Sequence, residues 1–104
     1  METAIRNINA AILHQLLEEN TELQLVDVRE ESEHNEYNIG GTLIPLGSIV
    51  QNIELIDKKK PVIFYCRKGV RSQIAIQKLT QKHPFSNLFN LEGGLEAWKK
   101  EVGF

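Results

Sequence analysis

The chain has 104 residues, enough for one domain with its own hydrophobic core, so we expect a single domain over residues 1–104. Hydrophobic residues make up 41% and charged residues 25%, the balance of an ordinary soluble globular protein. A formal net charge of −2 gives no electrostatic reason to bind nucleic acid or an anionic membrane, and we expect neither as a partner.

Cysteine content and the first residues bear on the cellular compartment. The single cysteine, Cys66, excludes an internal disulfide, so the fold needs no oxidising compartment. Residues 1–6 lack the apolar core of a signal peptide, and no run approaches the roughly 18 apolar residues that span a bilayer. We therefore predict a cytoplasmic protein. The histidines show no metal-ligand spacing with one another or with Cys66, and no nucleotide-binding glycine motif is present, so we predict no metal and no cofactor.

Apolar periodicity and turn residues predict five elements in the first half of the chain. They are a helix over 10–20 capped by Asn9, a strand over 23–28, a helix over 31–37, a strand over 42–44 and a helix over 46–55. Gly40 and Gly41 end the second helix before the short second strand begins.

A continuous apolar run over 61–65 dominates the second half, and it has the length of a strand buried on both faces. The other elements are a charged turn over 57–60, a helix over 71–82, a strand over 88–91 and a helix over 95–102. Helical spacing places Val70 and Ile74, with either Ile76 or Leu79, on the apolar side of the first of these helices. Trp98 is expected to pack the last helix against the sheet.

The alternation of strands and helices indicates an α/β fold, with a mainly parallel sheet flanked by helices on both faces. In such sheets ligands bind beyond the carboxyl ends of the strands. Cys66 follows the apolar run directly and therefore falls at that edge.

The segment from Cys66 to Arg71 is expected to be an anion site. A loop that leads from a strand into a helix directs backbone N–H groups and the positive end of the helix dipole into one concavity. Arg67, Lys68 and Arg71 add positive charge, and Gly69 lets the backbone curl around a small ligand. These surroundings favour thiolate over thiol, so they predict a nucleophilic cysteine.

Cys66 could also be an inert cysteine of the hydrophobic core. In an arbitrary protein, a single cysteine at the end of a hydrophobic strand is more often an inert, buried side chain than a nucleophile. The strand, loop and helix around it, together with the adjacent cations, reverse that expectation.

The chain resembles the rhodanese domain of sulfurtransferases over nearly its whole length. Three motifs carry the resemblance: Asp27-Val28-Arg29-Glu30, the loop Cys66-Arg67-Lys68-Gly69-Val70-Arg71 followed by Ser72, and Gly93-Gly94 with Ala97-Trp98. Of these, the loop is the specific one.

The resemblance implies a reaction and a role for each loop residue. Cys66 would take a sulfane sulfur from a small anionic donor such as thiosulfate and hold it as a persulfide. A thiol, a dithiol protein or cyanide would then accept the sulfur. The substrate-binding cradle would consist of the residues that follow the cysteine, namely Arg67, Lys68, Gly69, Val70 and Arg71.

Two other functions stay open. Phosphatases and arsenate reductases of similar fold use a loop one residue longer, whereas six residues run from Cys66 to Arg71 here, which favours sulfur chemistry. A sulfur-relay or binding module, fed by a protein partner and without turnover of its own, fits the small size of the chain. The sequence makes no prediction of the oligomeric state.

The sequence also allows predictions for the segment over 38–42 and for the charged residues at the end of the first predicted strand. Family members often contain His-Ile-Pro-Gly-Ala, where this chain has Asn38-Ile39-Gly40-Gly41-Thr42, and we expect this change to affect stability or local shape before activity. Asp27 and Arg29 are expected to be structural, pairing with each other or capping a turn, and Arg29 is also spaced to pair with Glu33 on a helix.

Overall fold

Five parallel strands form one sheet in the computed structural model, which describes residues 5–103. The strands are β1 (Asn7–Ile8), β2 (Gln24–Asp27), β3 (Thr42–Leu43), β4 (Val62–Tyr65) and β5 (Leu88–Leu91). The helices are α1 (Ala10–Glu18), α2 (Glu31–Glu36), α3 (Val70–Lys82) and α4 (Gly94–Glu101). The strand order β1-β5-β4-β2-β3 puts the apolar strand β4 at the centre of the sheet. The predicted α/β class is confirmed.

The sheet is covered on both faces, as the apolar run of β4 predicts. Val62 and Phe64 of β4 pack in one core cluster with the inner side of α3, while Ile63 and Tyr65 pack in the other, beneath α1 and α4. Each such side chain gains roughly 1.5–3 kcal/mol by complete burial. Trp98 belongs to the second cluster and is 7% exposed, so its predicted place in the core is confirmed.

Strand β1 is absent from the sequence prediction. It has two residues, and its register pairs Asn7 with Asn90 and Ile8 with Leu91 at the edge of the sheet. Two residues are too few to show a period of two, so the alternation that identifies other strands cannot identify this one.

The prediction of one helix over 46–55 is wrong. The segment instead forms two short 3₁₀ helices, Leu46–Ser48 and Ile53–Leu55. Asn52 lies between them with φ −110° and ψ 25°, and both its backbone N–H and its side-chain amide donate to the Ser48 carbonyl. Asparagine competes for backbone hydrogen bonds in this way and disfavours a continuous helix, and a glycine inside the segment, Gly47, disfavours it further.

The side of α3 that meets the sheet also differs from the prediction. Val70 is 62% exposed and Ile74 is 37% exposed, so both lie on the outer face of the helix. The buried face consists of Ser72, Ala75, Ile76 and Leu79, which share the same helical spacing. The prediction is correct only for Ile76 and Leu79. Small residues at the start of this face let the first turns of α3 lie close to the sheet.

The two consecutive glycines before β3 are required by the backbone. Gly40 has φ +99° and Gly41 has φ +89°, values that favour glycine. A Cβ on Gly41 would overlap the carbonyl of Leu25, and the Tyr65 hydroxyl donates to the Gly40 carbonyl at 2.8 Å. The turn is thereby held against both β2 and β4.

Within residues 5–103, no helix combines the length and the hydropathy that crossing a membrane requires.

Candidate active site

Cys66 lies directly after β4, and the loop that follows it curls around the sulfur. The Gly69 N–H donates to Sγ at 3.1 Å, and the Ser72 N–H donates at 3.4 Å. Gly69 has φ +97° and is the N-cap of α3, so the start of the helix also faces the sulfur. Cys66 itself is 1% exposed. Burial alone would suit an inert cysteine equally well, but converging N–H groups stabilise negative charge on sulfur.

The Gly93-Gly94 segment holds the other side of this loop. At the start of α4, the Leu95 N–H donates to the Cys66 carbonyl at 2.9 Å and the Glu96 N–H donates to the Arg67 carbonyl at 3.0 Å. A Cβ on Gly94, where φ is +60°, would lie 2.5 Å from both carbonyl oxygens. The glycine therefore lets α4 bind the loop directly. The sequence identifies this motif, but not its contact with the cysteine loop.

The three cations of the loop do not act as one positive cluster. Arg71 makes a two-point ion pair with Glu33 of α2, at 2.8 and 3.0 Å, and Arg67 pairs with Glu96 of α4 at 3.2 Å. Lys68 is exposed and makes no ion pair within residues 5–103. Two of the three charges are thus matched by carboxylates, and Lys68 contributes the least compensated one.

The family model of the Rhodanese-like domain matches residues 9–101. The chain belongs to this family. Its relatives include the "Putative sulfurtransferase YtwF" of Bacillus subtilis, 38% identical over 99 residues that cover 94% of each chain. The Thiosulfate sulfurtransferase GlpE of Coxiella burnetii is 33% identical over 79 residues, 75% of this chain and 73% of that one.

Comparison with a solved structure indicates the same family. The Rhodanese-like Domain Protein from Staphylococcus aureus superposes with a TM-score of 0.81 at 30% identity, over 94% of this chain and 95% of that one. Relatives named as sulfurtransferases support a rhodanese-family enzyme at the level of the family.

Asp27 and Arg29 form a buried ion pair beneath the rhodanese-like loop, as predicted for structural residues. The carboxylate accepts from Arg29 Nε at 3.0 Å and from Nη2 at 2.8 Å, and it also lies 2.8 Å from His34 Nδ1. Arg29 Nη2 donates further to the Tyr37 carbonyl. Burial opposes the charge on Arg29, but hydrogen bonding and attraction to Asp27 outweigh it and raise the pKa of the guanidinium.

The predicted pair between Arg29 and Glu33 is not formed. Arg29 turns inward to Asp27, while Glu33 pairs with Arg71 across the mouth of the loop. Arg29 precedes α2, which begins at Glu31, so helical spacing does not hold between Arg29 and Glu33. The buried carboxylate two residues away is the better partner for the guanidinium.

A groove lies beside the loop of this rhodanese-like domain, between α2 and α4. Its volume is about 480 Å³, and Arg67, Glu96 and Glu33 are among its lining residues, with Leu95 contributing apolar surface. Charges of both signs therefore border the space next to the cysteine loop.

The ion pair between Glu33 and Arg71 is expected to make stability depend on pH. Hydrogen bonding by Arg71 lowers the pKa of Glu33 from 4.5 to about 2. A carboxylate with a lowered folded-state pKa stabilises the fold above its unfolded pKa, and this contribution is lost as the pH falls towards the folded value. Because the two side chains are 34% and 32% exposed, we expect Glu33→Gln to cost only about 1 kcal/mol at neutral pH.

Urea denaturation from neutral pH down to about 3 tests this expectation, because the difference from wild type should shrink once the pH falls below 4.5. Glutamine at position 33 can still accept from the Glu30 N–H, so the cap of α2 is retained. Glu31→Gln, in the same first turn, is the matched control and should cost less. A difference that stays constant with pH would contradict the prediction.

Proposed function

We propose that this rhodanese-like domain is a sulfurtransferase that moves a sulfane sulfur from a small anionic donor, such as thiosulfate, to a thiophilic acceptor through a persulfide on Cys66. The Cys66 thiolate attacks the outer sulfur of the donor, the bond between the two donor sulfurs breaks, and sulfite leaves with the electron pair. A thiol, a dithiol protein or cyanide then attacks the terminal sulfur and releases the thiolate. We also propose a reducing, cytoplasmic setting, in which Cys66 stays available.

One observation carries the proposal: the N–H groups of Gly69 and Ser72 converge on Cys66 Sγ. N–H groups in this arrangement stabilise an anionic sulfur without a general base. The cradle proposed from sequence consists of Arg67, Lys68, Gly69, Val70 and Arg71. Of these, Gly69 supports the proposal through its hydrogen bond to the sulfur. Arg71 and Arg67 support it because their ion pairs with Glu33 and Glu96 connect the loop to α2 and α4.

Loop length supports sulfur chemistry over oxyanion chemistry. Six residues from Cys66 to Arg71 close around the sulfur, and α4 binds the backbone of the loop at Cys66 and Arg67. The longer loop of the related phosphatases is wide enough for a tetrahedral oxyanion. We therefore expect no hydrolysis of a chromogenic phosphate ester.

Intact-protein mass spectrometry tests the proposed function. Incubation of the reduced wild-type protein with thiosulfate should add the mass of one sulfur atom, and a dithiol or cyanide should remove it. Prior alkylation of Cys66 is the control and should block the gain. If no mass is gained while Cys66 still reacts with an alkylating reagent, thiosulfate is not the donor.

The exposed cations are expected to bind the donor rather than to perform the chemistry. Lys68→Ala should raise the apparent KM for thiosulfate roughly three- to tenfold, a loss of about 1 kcal/mol, with little change in kcat. Arg67→Ala should act in the same direction but less, because Glu96 already neutralises part of its charge. Steady-state kinetics checks both variants, with Lys78→Ala on the exposed side of α3 as the control. An effect confined to kcat would contradict a binding role.

A protein-fed sulfur relay is the second candidate, and the outer face of α3 favours it. Val70, near the end of the loop, and Ile74, one helical turn further along α3, present apolar surface. Lys68 is also exposed and lies two residues before Val70. Apolar surface next to an uncompensated cation suits a protein partner better than a small anion. If this domain accepts sulfur from a persulfidated protein but not from thiosulfate, the relay is favoured over the thiosulfate sulfurtransferase.

A further inference from the structure

A chain of hydrogen bonds runs from the cysteine into the protein, away from the loop. Ser72 Oγ lies 3.4 Å from Cys66 Sγ, and the Ser72 hydroxyl donates to Asn90 Oδ1. Asn90 Nδ2 in turn donates to Asn7 Oδ1 at 3.0 Å. Ser72 is 0% exposed and Asn90 is 1% exposed, so neither can exchange its partner for water. A buried asparagine in a strand that is otherwise apolar has a high desolvation cost, and these bonds offset it.

The direction of this chain bears on the state of the cysteine. A hydroxyl group has one hydrogen, and the Ser72 hydrogen points to Asn90. In that arrangement Ser72 Oγ can only accept from the sulfur, so it is matched to a thiol. It cannot donate to a thiolate or to a persulfide anion.

The same three residues can form the chain in the opposite direction. Each asparagine amide carries an acceptor and a donor at its end, so turning both amides by half a rotation lets Asn7 donate to Asn90, and Asn90 donate to Ser72. The Ser72 hydroxyl is then released to donate to the sulfur. The number of hydrogen bonds is unchanged, so a negative charge on sulfur is sufficient to favour the reversed chain.

We propose that Asn90 is a positioning residue for Cys66, and that together with Asn7 it determines whether the Ser72 hydroxyl accepts from the thiol or donates to the anionic sulfur. The inference deepens the proposed function and rests on it in taking Cys66 as the reacting group. Asn90 acts through Ser72 and does not touch the sulfur donor.

Asn7→Asp tests the proposal at an exposed site, where the substitution should not prevent folding. A carboxylate only accepts hydrogen bonds, so it holds Asn90 in the orientation that accepts from Ser72 and thereby favours the thiol. The readout is the pH midpoint of Cys66 alkylation by iodoacetamide. We expect the midpoint to rise by about half a unit to one unit, a three- to tenfold loss of thiolate at a given pH.

The added charge also acts through space, so the substitution is repeated in a Ser72→Ala background. There the chain is broken and only the through-space effect remains. We expect the shift caused by Asn7→Asp to be at least about half a unit larger with Ser72 present than without it. Equal shifts in the two backgrounds would overturn the proposal.

Asn90→Leu provides the opposite substitution. It removes the acceptor, releases the Ser72 hydroxyl for the sulfur, and should lower the alkylation midpoint only when Ser72 is present. If this variant does not fold, Asn7→Asp alone decides the question. Alkylation requires neither thiosulfate nor turnover, so a failure of the proposed function would leave this result unaffected.

Apart from the carboxylate that Asn7→Asp introduces, the charged groups around the loop stay the same in all of these variants. They are Lys68, the ion pairs of Arg67 with Glu96 and of Arg71 with Glu33, and the buried pair of Asp27 with Arg29, whose carboxylate His34 also contacts. A shift that depends on Ser72 therefore reports the hydrogen-bond chain rather than one of these charges.

Discussion

Replacing Cys66 with serine is expected to abolish sulfur transfer and to leave the domain folded. Serine cannot form a persulfide, and its hydroxyl is not ionised at neutral pH, so neither half of the reaction can proceed. The substitution keeps nearly the same volume, and the new oxygen can still accept from the Gly69 N–H. We therefore expect a cost of about 1 kcal/mol or less in the free energy of unfolding. Turnover and thermal denaturation measure the two effects.

The controls for this prediction separate loss of chemistry from loss of structure. Cys66→Ala also removes the nucleophile and leaves a small cavity in place of a new polar group, so it should be inactive for the same reason. Ser72→Ala retains the thiol and should retain turnover, although reduced. Turnover by Cys66→Ser would exclude Cys66 as the sulfur carrier.

Removing the buried carboxylate of Asp27 is expected to have the largest effect on stability. Asp27→Ala leaves the guanidinium of Arg29, whose side chain is 7% exposed, without its counterion. Loss of one partner of a buried ion pair typically costs about 3–5 kcal/mol, since the remaining charge stays desolvated. That is a large part of the whole stability of a domain of this size, about 5–15 kcal/mol. Chemical denaturation should show a lower midpoint with an unchanged slope.

The double substitution Asp27→Leu with Arg29→Met is the informative control. It removes both charges and keeps apolar volume, so it should recover much of the stability that Asp27→Ala loses. If the double variant is as unstable as Asp27→Ala, the contacts of Asp27 and Arg29 with His34 and Tyr37 matter more than the charge pair.

Much of the fold could be predicted, because its main elements carry strong local patterns. The apolar run that becomes β4 and the cap at Asn9, whose side chain accepts from the Ile12 N–H, are examples. The segment over 46–55 has helical apolar spacing, but Asn52 and Gly47 oppose a continuous helix. For α3, two apolar sides fit the same spacing, and only packing against β4 and β5 decides between them.

The candidate site was predictable as far as it is contiguous in sequence. Cys66 and Gly69 are three residues apart, and the hydrogen bond between them follows from the loop itself. The partners of the loop come from distant segments: Glu33 lies 38 residues from Arg71, and Glu96 lies 29 residues from Arg67. Which carboxylate each arginine meets depends on the elements that the sheet order brings to one edge. The expected pair of Arg29 with Glu33 fails for a local reason, because Arg29 precedes α2 and turns to Asp27, two residues away.

The contact between α4 and the cysteine loop also limits how the loop can be redesigned. The Leu95 and Glu96 N–H groups hold two consecutive carbonyls of the loop, at Cys66 and Arg67. An extra residue placed before Arg67 would move one carbonyl out of register with its donor, while one placed after it would leave both anchors in place. Engineering a wider, phosphatase-like loop on this scaffold should therefore begin with insertions between Lys68 and Arg71, where, within residues 5–103, α4 makes no hydrogen bond to the backbone.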